Sequence, residues 1–201
     1  MKHWQQYGIE DRLDLLAMTS AAKGLPQLAV EKDWWVMMVL KALSSTRYAE
    51  YYSFKGGTSL SKGWQLIDRF SEDIDIALRR DGKFAISSTS NNQLAKVRRV
   101  ARHYIIRDLP QELEEQLSLM GVSDFEIEPV THLDKDGELV ELRATTHPSV
   151  ILVKYKSVLP DISEYIKPQV KIEISCLSME EPVEKKKMQS FIAQIVPEAE
   201  N

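Results

Sequence analysis

The stretch Phe54-Lys55-Gly56-Gly57-Thr58-Ser59, followed by Phe70-Ser71-Glu72-Asp73-Ile74-Asp75-Ile76, restricts this chain more than any other part of it. Aromatic residues run without a helix cap straight into a Gly-Gly break, which predicts a short strand over Tyr51 to Lys55. Thr58 and Ser59 are good N-caps, and Leu60, Trp64 and Ile67 recur at i, i+4 and i+7. A helix is therefore predicted to begin at Thr58 and to turn that apolar stripe toward a core. The period of two over Asp73 to Leu78 predicts a second strand. It sets Asp73 and Asp75 on one face and Ile74, Ile76 and Leu78 on the other.

Strand, Gly-Gly, helix start and Asp-x-Asp strand together outline a triphosphate and metal site. Glycines let a phosphate approach the backbone, and the free N–H groups and positive dipole of a helix N-terminus favour an anion. Thr58 and Ser59 add hydroxyl donors. Two aspartates on one strand face repel unless a cation joins them, and hard oxygen ligands suit Mg²⁺, which also bridges substrate phosphates. The chemistry implied is metal-assisted phosphoryl or nucleotidyl transfer. A Gly-Gly turn beside two solvent-facing aspartates is the plainer alternative for either half alone; the conjunction favours the site.

The rest of the chain is globular in composition. Its 201 residues suffice for one domain with a real core, with 43% apolar and 28% charged residues. A net charge of −4 argues against wholesale electrostatic binding of nucleic acid and restricts any such contact to a local basic patch. The single cysteine, Cys176, excludes an internal disulfide and fits a reducing cytoplasm. No signal peptide is read at the N-terminus, and no apolar run approaches the ~20 residues of a membrane span.

Glu10 to Ala22 and Pro26 to Ser45 read as helices, divided by a C-cap glycine, Gly24, and an N1 proline, Pro26. In the second, Trp34, Trp35, Val36, Met37, Met38 and Leu40 cover most of the circumference, and the polar residues cluster as Glu31-Lys32-Asp33. A turn is expected at Asp81-Gly82 and a polar loop from Ser87 to Asn92. A helix follows from about Asn92 to Leu109, where Pro110 breaks or restarts it, and Gly121 ends the second piece. Asp124 to Val130, Glu138 to Arg143, Ser149 to Lys156 and Gln169 to Ser175 read as extended, with Asp134-Lys135-Asp136-Gly137 as a hairpin turn.

Val170-Lys171-Ile172-Glu173-Ile174-Ser175 is the second candidate for chemistry. On a strand beside the Asp-x-Asp strand, Glu173 would supply the third carboxylate of a two-metal site. By spacing alone an exposed Lys-Glu face on an edge strand is the commoner arrangement. Lys154 and Lys156 share a strand face from which either could reach a triphosphate, although paired surface lysines are common. Lys96, Arg99, His103 and Arg107, with Arg98 and Arg102 alongside, form a basic stripe along the long middle helix. It reads equally as a phosphate-binding face or as a solvated one. Four scattered histidines and one cysteine give no zinc spacing.

Lys55-Gly56-Gly57-Thr58-Ser59-Leu60-Ser61-Lys62 and Arg69-Phe70-Ser71-Glu72-Asp73-Ile74-Asp75 resemble the nucleotidyltransferase AbiEii/AbiGii toxin family, within the polymerase-β-like nucleotidyltransferase superfamily. Val30-Glu31-Lys32-Asp33-Trp34-Trp35 resembles the helix before that family's glycine motif, and Val170 to Ile174 its third acidic strand. The resemblance covers residues 25–80 well and 149–196 more loosely.

This resemblance implies an α+β fold, a nucleotidyltransferase core with a mixed sheet flanked by helices, spanning one domain over residues 1–201. Within it the N-terminal helices occupy 10–46 and the core 50–196. It further implies that the family's helical C-terminal region is absent or truncated here. Carried over, Gly56, Gly57, Thr58 and Ser59 would hold the triphosphate, with Lys62 as a phosphate neighbour. Asp73, Asp75 and Glu173 would bind two Mg²⁺ ions and be the catalytic acids. The expected protein is a toxin of a bacterial toxin–antitoxin or abortive-infection system, with a cognate antitoxin. It would transfer a nucleoside monophosphate from a nucleoside triphosphate to an acceptor such as tRNA, received by Lys96, Arg99, Arg102, His103 and Arg107. A non-catalytic binding remnant of the fold and a kinase are the alternatives.

Overall fold

The computed structural model describes residues 2–67, 70–79, 90–136, 138–143, 145–146, 148–160, 166–176 and 183–199. The predicted turn at Asp81-Gly82 and the polar loop from Ser87 as far as residue 89 lie outside the described residues, as do Arg69 of the second motif and Gly137 of the hairpin turn.

Seven strands are present among the described residues: β1 (Tyr52–Lys55), β2 (Asp73–Leu78), β3 (Phe125–Pro129), β4 (His132–Lys135), β5 (Glu138–Glu141), β6 (Ser149–Tyr155) and β7 (Gln169–Ser175). Five of them form one mixed sheet in the order β1-β2-β7-β6-β3, and β4 and β5 form the separate hairpin expected around Asp134 to Gly137. Only the β2–β7 pair is parallel; the remaining pairs are antiparallel. The period of two sorts the sheet into two faces. Ile74, Ile76, Ile151, Val153, Val170, Ile172 and Ile174 are buried on one side, each contributing about 1.5–3 kcal/mol through burial.

Helices α1 (Ile9–Lys23) and α2 (Gln27–Leu43) are joined at Gly24, whose φ of +65° makes it the C-cap of α1. Pro26 is the N-cap of α2 rather than its first residue. Nearly the whole of α2 is buried, and it packs on the apolar face against β2 and β7. Its Trp34 lies between Trp4 and Trp35, and Trp35 stacks on Tyr155 of β6 with ring centroids 4.7 Å apart.

The helix that follows β1 differs from the prediction. It begins at Gly56, as α3 (Gly56–Thr58), and widens at once into a π turn over Ser59–Gly63. Thr58, Ser59 and Lys62 form its inner face, while Leu60 and Trp64 of the expected apolar stripe are exposed. Gly63 and the positive φ of Gln65 (+52°) stop the helix before the stripe can develop.

The middle helices form one continuous rod: α4 (Asn91–His103), a π turn over Tyr104–Asp108, and α5 (Leu109–Leu119). Pro110 restarts the helix; lacking an N–H, it cannot extend the α-type ladder, and the wide turn before it takes up the mismatch. A last helix, α6 (Phe191–Ile195), packs on α1 and α2.

Candidate active site

The sheet face opposite the core gathers the acids. In the parallel β2–β7 pair, Asp73 is opposite Lys171 and Asp75 opposite Glu173, so all four side chains project from one face of two adjacent strands. On the other flank Lys55 of β1 is opposite Asp75. β7 is a central strand, not the edge strand that would have made its Lys-Glu face unremarkable.

Gly56 closes the site from the side. Its φ of +74° is left-handed, and a Cβ there would lie 2.0 Å from Asp75 Oδ2. The absence of a side chain therefore lets the start of α3 meet the Asp75 carboxylate directly. Thr58 fastens the same helix to β2 from within: its hydroxyl donates to the Asp73 carbonyl oxygen at 2.5 Å and lies 2.9 Å from Ser71 Oγ.

The electrostatics are those of crowded carboxylates. Burial pushes the Asp75 carboxyl above the ordinary range, and Glu173 and Asp73 push it further, against Lys55 and Lys171. Burial likewise raises Asp73; Lys171 lowers it and Glu72 raises it. The Lys171 ammonium forms an ion pair with Glu173, and that hydrogen bond, followed by the charges of Glu173, Asp73 and Asp75, holds it protonated above the usual lysine range. Among the described residues no three acid, imidazole or thiol groups are gathered closely enough to enclose an ion as they stand. The donor set nevertheless fits a hard divalent cation, being three carboxylates on one face whose mutual repulsion such a charge would relieve.

The charged triplet of α2 supports this site, a role the sequence did not disclose. Glu31, Lys32 and Asp33 are all buried and point to three different elements. Glu31 accepts from Ser157 Oγ at 2.5 Å and from the Val158 N–H at 2.9 Å, tying α2 to the segment after β6. Lys32 pairs with Glu72, the carboxylate next to Asp73, at 2.5 Å. Asp33 accepts from the Phe191 N–H at 2.6 Å and pairs at 2.5 Å with Lys62, whose ammonium also lies 3.3 Å from the Phe191 ring centroid. Burial raises the Asp33 carboxyl and lowers the Lys62 ammonium, and their mutual attraction opposes both shifts. The available signal was the setting: charges in a helix otherwise apolar all round must find buried partners.

Several expected residues stand elsewhere. The Lys62 ammonium is turned to Asp33 rather than toward the strand acids, and the Thr58 hydroxyl is engaged by the backbone. Lys154 shares the acid face but sits opposite Gln169, four positions along from Glu173, about 13 Å at the usual strand rise, and pairs with Glu128. Lys156 follows the end of β6, its N–H donating to the Asp124 carbonyl. On the rod, Lys96, Arg99, His103 and Arg107 are exposed as expected. Arg102 is not part of that stripe. It is buried, 3.5 Å from Ser149 Oγ, because its position on α4 faces the core with Ala101 and Ile105.

A mixed sheet with helices on its apolar face, and a Gly-Gly helix start set against an Asp-x-Asp strand, define a nucleotidyltransferase-type fold. A family model described as "Nucleotidyl transferase AbiEii toxin, Type IV TA system" matches residues 39–200, and the chain belongs to that family. The matched span takes in both glycines and all three acids, while Glu31, Lys32 and Asp33 precede it. No curated protein matches the chain. Among the described residues no helix is long and apolar enough to cross a membrane.

Proposed function

We propose that this protein transfers a nucleoside monophosphate from a nucleoside triphosphate to an acceptor hydroxyl. Asp73, Asp75 and Glu173 would hold the metal, and the Gly56 and Gly57 backbone would receive the triphosphate, Ser59 lying with Thr58 on the buried side of the helix. The observation that carries this reading is the pairing of Asp75 with Glu173 on adjacent parallel strands, with the α-carbon of Gly56 against the Asp75 carboxylate. Two Mg²⁺ ions, when bound, would neutralise phosphate charge and activate the acceptor hydroxyl.

The chain's own residues do the rest. The backbone N–H groups at the start of α3 would receive phosphate oxygens, while the Asp73 and Asp75 carboxylates, themselves negative, would hold the cation and make no direct bond to phosphate. Thr58 and Lys62 act from behind, holding α3 to β2 and to α2. The acceptor hydroxyl oxygen would bond to the α-phosphorus as the bond from that phosphorus to the α–β bridging oxygen breaks; the hydroxyl proton passes to solvent and the bridging oxygen leaves with pyrophosphate.

Lys96, Arg99, His103 and Arg107 line the helical layer, whereas the acids project from the other face of the sheet. An acceptor reaching both would have to be as large as a folded RNA such as tRNA. Membership in a toxin family of toxin–antitoxin systems supports a cognate antitoxin as the partner.

Incubation with tRNA and triphosphates labelled in turn at the α- and γ-phosphate tests the reading. Label from the α-position is expected to appear on the RNA. Transfer of γ-label would make the protein a kinase, and no transfer from any of the four triphosphates would favour a non-catalytic module.

A further inference from the structure

The third acid of the site is already bonded to a cation supplied by the chain. Lys171 and Glu173 are two residues apart on β7, project from the same face, and form an ion pair. Lys171 is also the cross-strand neighbour of Asp73, and its ammonium, bonded to Glu173, is near enough to feel the charges of Asp73 and Asp75. Lys55 is the other lysine beside Asp75, on the far flank, while Lys32 is engaged by Glu72 and Lys62 by Asp33. Without Lys171, the nearest described lysines on that face would be Lys55, opposite Asp75, and Lys154, which is paired with Glu128.

We propose that Lys171 is a tethered counter-ion that occupies the acid cluster of the metal-free protein and competes with divalent cations for Glu173. A divalent ion entering between the strands must displace this ammonium from Glu173 and is repelled by it until it moves. The free protein is thus a weak binder of bare metal. A nucleoside triphosphate changes the balance, because its phosphates bring negative charge for the released ammonium to meet. Metal and nucleotide are therefore taken up together more readily than metal alone. The lysine positions Glu173 rather than acting as a catalytic residue, and this inference rests on the metal-site reading above.

The test is Mn²⁺ binding to the nucleotide-free protein, read as free Mn²⁺ by electron paramagnetic resonance, for wild type, Lys171→Met and Lys171→Arg. Circular dichroism serves as the check on folding. Lys171→Met is expected to bind Mn²⁺ about tenfold more tightly than wild type at low ionic strength, a difference that shrinks with added salt because the pair is half-exposed. Lys171→Arg keeps the charge and should bind as weakly as wild type. Equal affinity of wild type and Lys171→Met would overturn the competition while leaving the metal site standing. Tighter binding by both variants would overturn it too, since charge would not be the cause. Absence of binding to Lys171→Met, the acids intact, would overturn this inference, and absence of Mn²⁺ binding with a nucleoside triphosphate added as well would overturn the metal-site reading with it.

Discussion

The Gly56 α-carbon faces the Asp75 carboxylate so closely that a methyl group on it would lie 2.0 Å from Oδ2. A glycine in the first motif and an aspartate in the second are thus one contact, made because β1 and β2 pair with Lys55 opposite Asp75. Gly56→Ala is expected to cost about 1–2 kcal/mol from its left-handed backbone alone. It should also force the carboxylate aside and so abolish transfer. Urea unfolding and the label assay check the two effects; an alanine variant with wild-type transfer would separate the glycine from the site.

Asp75→Asn should abolish transfer and leave the metal-free protein as stable as wild type or slightly more so. Burial and the neighbouring acids raise the Asp75 carboxyl in the folded state, so its ionised form opposes folding above the unfolded carboxylate range, near pH 4. The gain from the amide is therefore present at pH 7 and disappears as pH falls below that range. Screening at this half-exposed position keeps it to at most about 0.5 kcal/mol. Thermal melts at pH 7 and pH 3.5 measure it; a destabilised variant at pH 7 would contradict the repulsion.

The two motifs were legible in the sequence because each is local. Gly-Gly after an aromatic strand, and aspartates two apart on the next, need only neighbouring residues to be read. The pairing of β7 with β2 was not legible, since nothing in Val170 to Ser175 states which strand lies beside it. Parallel register is decided by burial of Ile172 and Ile174 against the same helix that covers Ile74 and Ile76. The Leu60, Trp64 and Ile67 stripe misled for a related reason: periodicity does not show that Gly63 stops the helix or that Thr58 and Lys62 have partners within.

Asp33→Ala leaves the Lys62 ammonium buried without its carboxylate. A cost of about 3–5 kcal/mol is expected, as for other broken buried pairs. Lys62→Met combined with Asp33→Asn should recover most of that loss, because no uncompensated charge remains. Denaturant titration of the single and double variants checks the pair, and equal losses in both would mean that the ion pair is not the source.

Thr58→Val removes the donor to the Asp73 carbonyl while conserving shape. A loss of about 1–2 kcal/mol is expected, together with a weaker response of the melting temperature to Mg²⁺ and nucleoside triphosphate as β2 loosens from α3. An unchanged response would mean that Thr58 serves stability alone.

The proposed transfer requires a metal-binding centre between β2 and β7. Anomalous diffraction from crystals grown with Mn²⁺ and a triphosphate analogue resistant to cleavage after the α-phosphate measures this directly. A peak within ligand distance of the Asp73 and Asp75 carboxylates, with Glu173 turned away from Lys171, is the predicted result. Ordered triphosphate with its manganese elsewhere, and the Lys171–Glu173 pair intact, would contradict it.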